Sequence, residues 1–175
     1  SVLIAFVAFL YNRLVALRQA TKNAFADIDV QMKQSHDLIP NLVETVKGYA
    51  AHESEVFEKV TEARAGAMRA GSMGEKGAAE GLLSSALVNL MAVAENYPDL
   101  KANENFQQLQ TELSDLENKI AAARRFLNNA VAEYNTAIEQ FPAVLIAGMF
   151  GFKAAEMFDL GESRAEVETA PKVSF

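Results

Sequence analysis

Apolar residues recur along this chain every three or four positions, the period of a helix with one buried face. The clearest run is Phe106, Leu109, Leu113, Leu116, Ile120, Ala123, Leu127, Ala130, Tyr134 and Ala137. Its steps of three and four alternate without a break, which is the pattern of coiled-coil packing. This run predicts one helix of about 36 residues, or ~55 Å, capped by Asn103 and ending before Pro142. A second stripe, Leu14, Leu17, Thr21, Ala24, Phe25, Ile28 and Met32, predicts a helix over 14–32. A third, Leu42, Val46, Tyr49, Val56, Val60 and Ala63, predicts a helix over 38–67. A fourth, Leu82, Leu83, Leu87, Leu90, Met91 and Ala94, predicts a helix over 80–95, stopped by Pro98.

The breaks between these stripes set the topology. Residues 66–81 hold Gly66, Gly71, Gly74, Gly77 and Gly81, and read as a mobile loop. Pro40 is the first proline of the chain. Inside a helix it removes one hydrogen bond and crowds the carbonyl four residues back, that of His36, at a cost of ~3 kcal/mol or more. In a first turn the cost vanishes, and Asp37 can cap a helix that starts at Leu38. A turn at 35–37 is therefore favoured over a single helix kinked at Pro40. The expected class is all-α: an antiparallel bundle of long helices, four in up-and-down order, behind an N-terminal transmembrane helix. On this reading Gln31, Ser35, His36, Asp37 and Pro40 form the bundle turn, or a recognition tip far from the membrane.

Two apolar segments stand outside the periodic stripes. Residues 1–11 contain Val2, Leu3, Ile4, Phe6, Val7, Phe9 and Leu10 in an uncharged run, closed by Tyr11. A full span needs about twenty apolar residues, so this reads as the end of a membrane helix or a short buried helix start. Tyr suits the headgroup level, and Arg13, Arg18 and Lys22 follow it. By the positive-inside rule they put the downstream domain in the cytoplasm, with the periplasmic or extracellular side as the alternative. The second segment, 141–152, carries Phe141, Val144, Leu145, Ile146, Met149, Phe150 and Phe152. It is too short to span and suits an interfacial segment or a buried cap. Residues 12–158 then make the bundle, and 159–175 a loose acidic tail.

Composition narrows the chemistry. The net charge is −7, with +1 over residues 1–40 and −8 over the remainder. An acidic body argues against nucleic-acid partners, which require clustered Lys and Arg. There is no Cys, hence no disulfide and no thiolate ligand. The two histidines, His36 and His52, do not complete a metal motif, because Val56 stands where His-Glu-x-x-His needs its second ligand. The acidic group Glu53, Glu55, Glu58 and Glu62 reads as a solvated face before it reads as a cation site. No nucleophile has a visible base and orienting partner. Neither enzyme activity nor a cofactor is expected.

Several words of the sequence resemble the LemA family. They are Tyr11-Asn12, Asp27-Ile28-Asp29-Val30-Gln31-Met32-Lys33, His36-Asp37-Leu38-Ile39-Pro40-Asn41-Leu42-Val43-Glu44-Thr45-Val46-Lys47-Gly48-Tyr49, Thr61-Glu62-Ala63-Arg64, Ala122-Ala123-Arg124-Arg125-Phe126-Leu127-Asn128, Tyr134-Asn135 and Phe150-Gly151-Phe152. The resemblance implies a single-pass bacterial cell-membrane protein with a helical bundle outside the bilayer and no established enzyme activity. With the anchor and the heptad helix, it leads us to expect a scaffold or adaptor that works by protein contact. Membrane lipid and further copies of itself are the expected partners, with another membrane protein as a third. A sensor or small-ligand-binding bundle is the alternative, and it requires a polar site inside the bundle.

Overall fold

The computed structural model describes residues 1–161. Among them the chain forms six helices and no strand: α1 (Val2–Lys47), α2 (Ser54–Arg69), α3 (Met73–Ala94), α4 (Pro98–Lys101), α5 (Glu104–Glu139) and α6 (Ala143–Phe150). The all-α class and the long helix of the Phe106–Ala137 stripe are as expected. Asn103 does cap α5, accepting the Phe106 N–H at 3.0 Å.

Two expected breaks are corrected. First, the chain does not turn at 35–37. Helix α1 runs through Pro40, and the turn comes after Lys47, across 48–53. Pro40 is exposed, while Met32, Ser35, Ile39, Leu42 and Val46 stay buried in unbroken register. Burying that stripe as one piece outweighs the loss of one backbone bond. Second, 66–81 is not a loop. Only residues 70–72 separate α2 from α3. The cause is a capping box: Ser72 Oγ accepts the Glu75 N–H, and the Glu75 carboxylate accepts the Ser72 N–H. That box nucleates α3 despite its glycines. Tyr49 and Leu82, both expected inward, are exposed.

The chain divides into two compact units. Among the described residues, one comprises Gln31–Lys119 and 158–161; the other comprises Ser1–Val30 and Ile120–Met157. In the first unit α1, α2, α3, α4 and α5 share one core. Its core joins Ile39, Leu42 and Val46 of α1, Phe57 and Val60 of α2, Leu83, Leu87 and Leu90 of α3, Leu100 of α4, and Phe106, Leu109 and Leu113 of α5. Asn103 Nδ2 donates to the Tyr49 hydroxyl at 3.0 Å and Asn105 Nδ2 to Thr45 Oγ1 at 3.1 Å, pinning the start of α5 to the end of α1.

In the second unit Leu10 and Leu14 of α1 pack on Tyr134, Ala137 and Ile138 of α5, on Ala143, Ile146 and Ala147 of α6, and on Phe152. Gly151 ends α6 in the left-handed conformation (φ 70°), and the Phe152 N–H returns to the Ala147 carbonyl at 2.9 Å. The reversal turns Phe152 inward, where Tyr11 meets its ring edge-on at 5.7 Å and Arg18 lies 4.6 Å from its centroid. Behind it, Tyr134 Oη donates to the Lys153 carbonyl at 2.8 Å. Asn135 accepts the Ala155 N–H at 2.8 Å and donates to the Ala155 carbonyl at 3.0 Å.

The loose tail expected over 159–175 is described only to 161; residues 162–175 lie outside the described residues. Its described start is packed, with Phe158 and Leu160 buried. Asp159 lies over Gly77 so closely that a Cβ there would fall 2.3 Å from the Asp159 carbonyl oxygen. Gly77→Ala is therefore expected to destabilise the fold by about 1–3 kcal/mol through overpacking. Gly66→Ala, where a Cβ meets nothing within 4 Å, should be neutral or stabilising by up to ~1 kcal/mol. Urea midpoints for the two variants, followed by circular dichroism, check the contrast.

Candidate functional site

A polar seam runs through the otherwise apolar core of the first unit. Ser35 and His36 of α1 and Glu80 of α3 are buried there. The His36 Nε2 meets the Glu80 carboxylate as an ion pair or hydrogen bond. Burying two such groups is tolerated only when they partner one another. Residue 80 was legible as an inward position. Met73, Gly77, Leu83, Leu87, Leu90 and Ala94 are buried along α3, and Glu80 falls in the same helical phase.

The backbone of His36 is equally constrained. In an α-helix its carbonyl would accept from the N–H four residues on, but that residue is Pro40, which has none. Arg64 of α2 fills the role: its Nε donates to the His36 carbonyl at 2.7 Å. His36 thus ties α1 to α2 through its main chain and to α3 through its side chain. On α5, Glu117 keeps solvent contact at its surface. Even so, the protein atoms crowded around its carboxyl, and secondarily the charge of Glu80, push its pKa above the ordinary carboxylate value. The Gln31 Oε1 is buried and has no hydrogen-bond partner among the described residues.

These residues do not make the expected turn or tip. Gln31, Ser35, His36, Asp37 and Pro40 lie within α1, with Ser35 and His36 buried, Gln31 half-buried, and Asp37 and Pro40 exposed. Glu80, Arg64 and Glu117 had no assigned role from sequence. The signal for Arg64 lay in the His36–Pro40 spacing, which leaves a carbonyl for some donor to satisfy.

Near the end of α1, an open cleft of about 410 Å³ is lined by Lys47, Ala51, Ser54, Phe57, Glu58, Thr61 and Glu62. It takes in two of the four carboxylates weighed as a cation face. Among the described residues no three His, Cys, Asp or Glu side chains gather as a metal site.

The second unit carries an apolar surface. Val2, Leu3 and Ile4 are 88%, 71% and 70% exposed, and Phe6 and Phe9 are exposed as well. Val7 and Tyr11 are half-buried and Leu10 is buried. The 141–152 segment is split between surface and core. Phe141, Val144, Leu145, Met149 and Phe150 face outward, while Ile146 and Phe152 are in the core. Helix α1 is long and apolar enough to cross a membrane, with a stretch of mean hydropathy 1.4. Helix α3 meets the same length and hydropathy test, but it packs in the core of the first unit and holds Glu80 in its buried pair.

The sequence profile of the LemA family matches residues 24–175. Similar proteins include the magnetosome protein MamQ of Magnetospirillum gryphiswaldense, 28% identical over 89% of this chain and 68% of that protein. The magnetosome protein MamQ 2 of Paramagnetospirillum magneticum is likewise 28% identical, over 89% and 68%. The protein LemA of Metamycoplasma hominis is 24% identical over 91% of this chain and 74% of its own.

Two predictions concern the polar seam. Arg64→Ala should cost about 1.5–3 kcal/mol, the worth of a hydrogen bond from a charged donor. In a Pro40→Ala background, where residue 40 supplies its own N–H to the His36 carbonyl, the same change should cost much less. A double-mutant cycle by urea unfolding measures that coupling. For Glu117 the sign follows from the raised pKa. The folded chain holds the proton more tightly than the unfolded chain does, so stability is lost as pH rises from the ordinary carboxylate range through the raised value. Glu117→Gln should therefore be more stable than the parent at neutral pH, by a margin damped by solvent. The margin should close at acid pH, as urea midpoints across the range will show.

Proposed function

The chain belongs to the LemA family, and on that premise we propose that it is a membrane-anchored, non-enzymatic helical protein that acts through protein contacts, as a self-associating scaffold or adaptor. One observation carries the reading: the run Val2–Phe9 is apolar and mostly exposed, while the same helix buries one face from Leu10 and Leu14 onward. Apolar side chains exposed in such a run are costly in water, at ~25 cal/mol per Å², and are at home in lipid. The half-buried Tyr11 marks the level where the helix leaves the bilayer. Arg13, Arg18 and Lys22 follow it and support a cytoplasmic side for the bundle, at the bacterial cell membrane, with a single pass.

Self-association rests on the membrane itself. Copies confined to one surface have a raised effective concentration, so weak contacts between helical bundles suffice. The sensor reading has one observation in its favour, the buried His36–Glu80 pair, which gives the bundle interior a polar group for a ligand to recognise. It predicts a protein that works as a single copy.

The mass of the full chain extracted in mild detergent, by light scattering on a sizing column, separates the two. A discrete mass of several copies is the expected result. A strictly single-copy mass in gentle detergent would remove self-association and favour the sensor. Release from membranes by alkaline carbonate, without detergent, would remove the anchor.

A further inference from the structure

We propose that α6 is a second membrane contact, a helix whose outer face lies in the headgroup region of the bilayer beside the N-terminal anchor. The proposal rests on the anchoring of α1 put forward above. Helix α6 is two-faced. Ala143, Ile146 and Ala147 are buried against the level of α1 marked by Leu10 and Leu14. The other face presents Leu145 (59% exposed), Met149 (77%) and Phe150 (54%), and Phe141 (79%) precedes the helix beside them in sequence. No charged residue occurs from Gln140 through Phe152, and Lys153 follows at once.

Three features of the structure select lipid as the occupant of this face. The first is continuity: both apolar surfaces belong to one compact unit, and the inner face of α6 sits on the turn of α1 where the exposed apolar run gives way to core. A helix docked there meets the bilayer at the depth where α1 leaves it. The second is the ring contact between Tyr11 and Phe150, edge-on at 4.9 Å. It joins the residue at the proposed water–lipid boundary to the exposed face of α6, and amphipathic aromatic groups favour that boundary. The third is charge placement. Arg13, one turn above Leu10, and Lys153, just past α6, are both exposed. Their long stems let the charged heads reach headgroup phosphates while the apolar face stays in lipid. An eight-residue helix cannot span a bilayer, but lying in the interface it buries its apolar side at no such length requirement.

The chain contains no Trp, so a single introduced indole reports on one site alone. Full-length Leu145→Trp and Phe6→Trp variants would be reconstituted in phosphatidylcholine vesicles containing a minor fraction of phosphatidylglycerol. Nitroxide quenchers would be carried either near the headgroup or at the end of the acyl chain. Both sites are exposed, and circular dichroism confirms that each variant keeps its helices. For Leu145→Trp we expect a blue-shifted emission, with greater loss to the headgroup-level quencher than to the chain-end quencher. Leu145→Trp emitting as in water while Phe6→Trp is quenched by lipid would overturn the α6 contact and leave the anchor standing. Leu145→Trp blue-shifted but unquenched by either lipid would mean that protein covers the face, and would also overturn it. Phe6→Trp unquenched, with Leu145→Trp quenched near the headgroup, would keep α6 as a membrane contact and remove the anchor. Loss of quenching at both sites would overturn both.

Discussion

One missing hydrogen shapes the first unit. Because Pro40 has no N–H, the carbonyl of His36 loses its helical partner, and a buried carbonyl without a partner costs roughly 1–3 kcal/mol. The remedy comes from outside the helix, from Arg64 at 2.7 Å. A guanidinium held on a main-chain oxygen fixes the rotation of α2 about its own axis. The His36 side chain, on the same residue, fixes α3 through Glu80. A helix slipped by a turn would lose these polar contacts outright. In this unit apolar burial supplies most of the stability, and the contacts centred on His36 supply the register.

Much of this was legible in the sequence, and the failures have physical causes. The stripe from Phe106 to Ala137 and the Asn103 cap gave α5 to within a residue, since a strict three–four rhythm has no competing reading. The turn at 35–37 was expected because local rules condemn proline in a helix interior. Those rules count only the helix's own bonds and are blind to a donor from a neighbouring helix. The glycines of 66–81 pointed to a loop by the same local arithmetic. There the Ser72–Glu75 box was visible but unweighed, and the approach of Asp159 to Gly77, eighty-two residues away, was beyond any local pattern. Glu80 was hidden by its company. A carboxylate beside Gly77 and Gly81 looks like a surface residue until the helical phase is counted through it.

The words shared with the LemA family now have physical content at several positions. Pro40 and Arg64 are two halves of one hydrogen-bonding problem. Tyr134 and Asn135 hold the chain after α6 by its main-chain groups at Lys153 and Ala155. Gly151 permits the left-handed step that sends Phe150 outward and Phe152 inward. The tie from Tyr134 needs a proton on its hydroxyl. Burial raises the pKa of that hydroxyl, while the charge of Arg18 lowers it, so the donor form is held throughout the physiological range.

Helix α1 precedes the other described helices in the chain and is completed last. Its early turns pack on the end of α5 and on α6, and its later turns on α2, α3 and the start of α5. During synthesis from the N-terminus, more than a hundred residues separate Leu14 from its partner Tyr134, and loop closure over that distance waits for the chain to emerge. For that interval Leu10 and Leu14 lack the α5 and α6 surfaces that cover them in the finished fold. A bilayer that accepts Val2–Phe9 early would hold the nascent helix at one end while its partners are still being translated. Insertion would then come before folding, and the bundle would be assembled at the membrane from the outset.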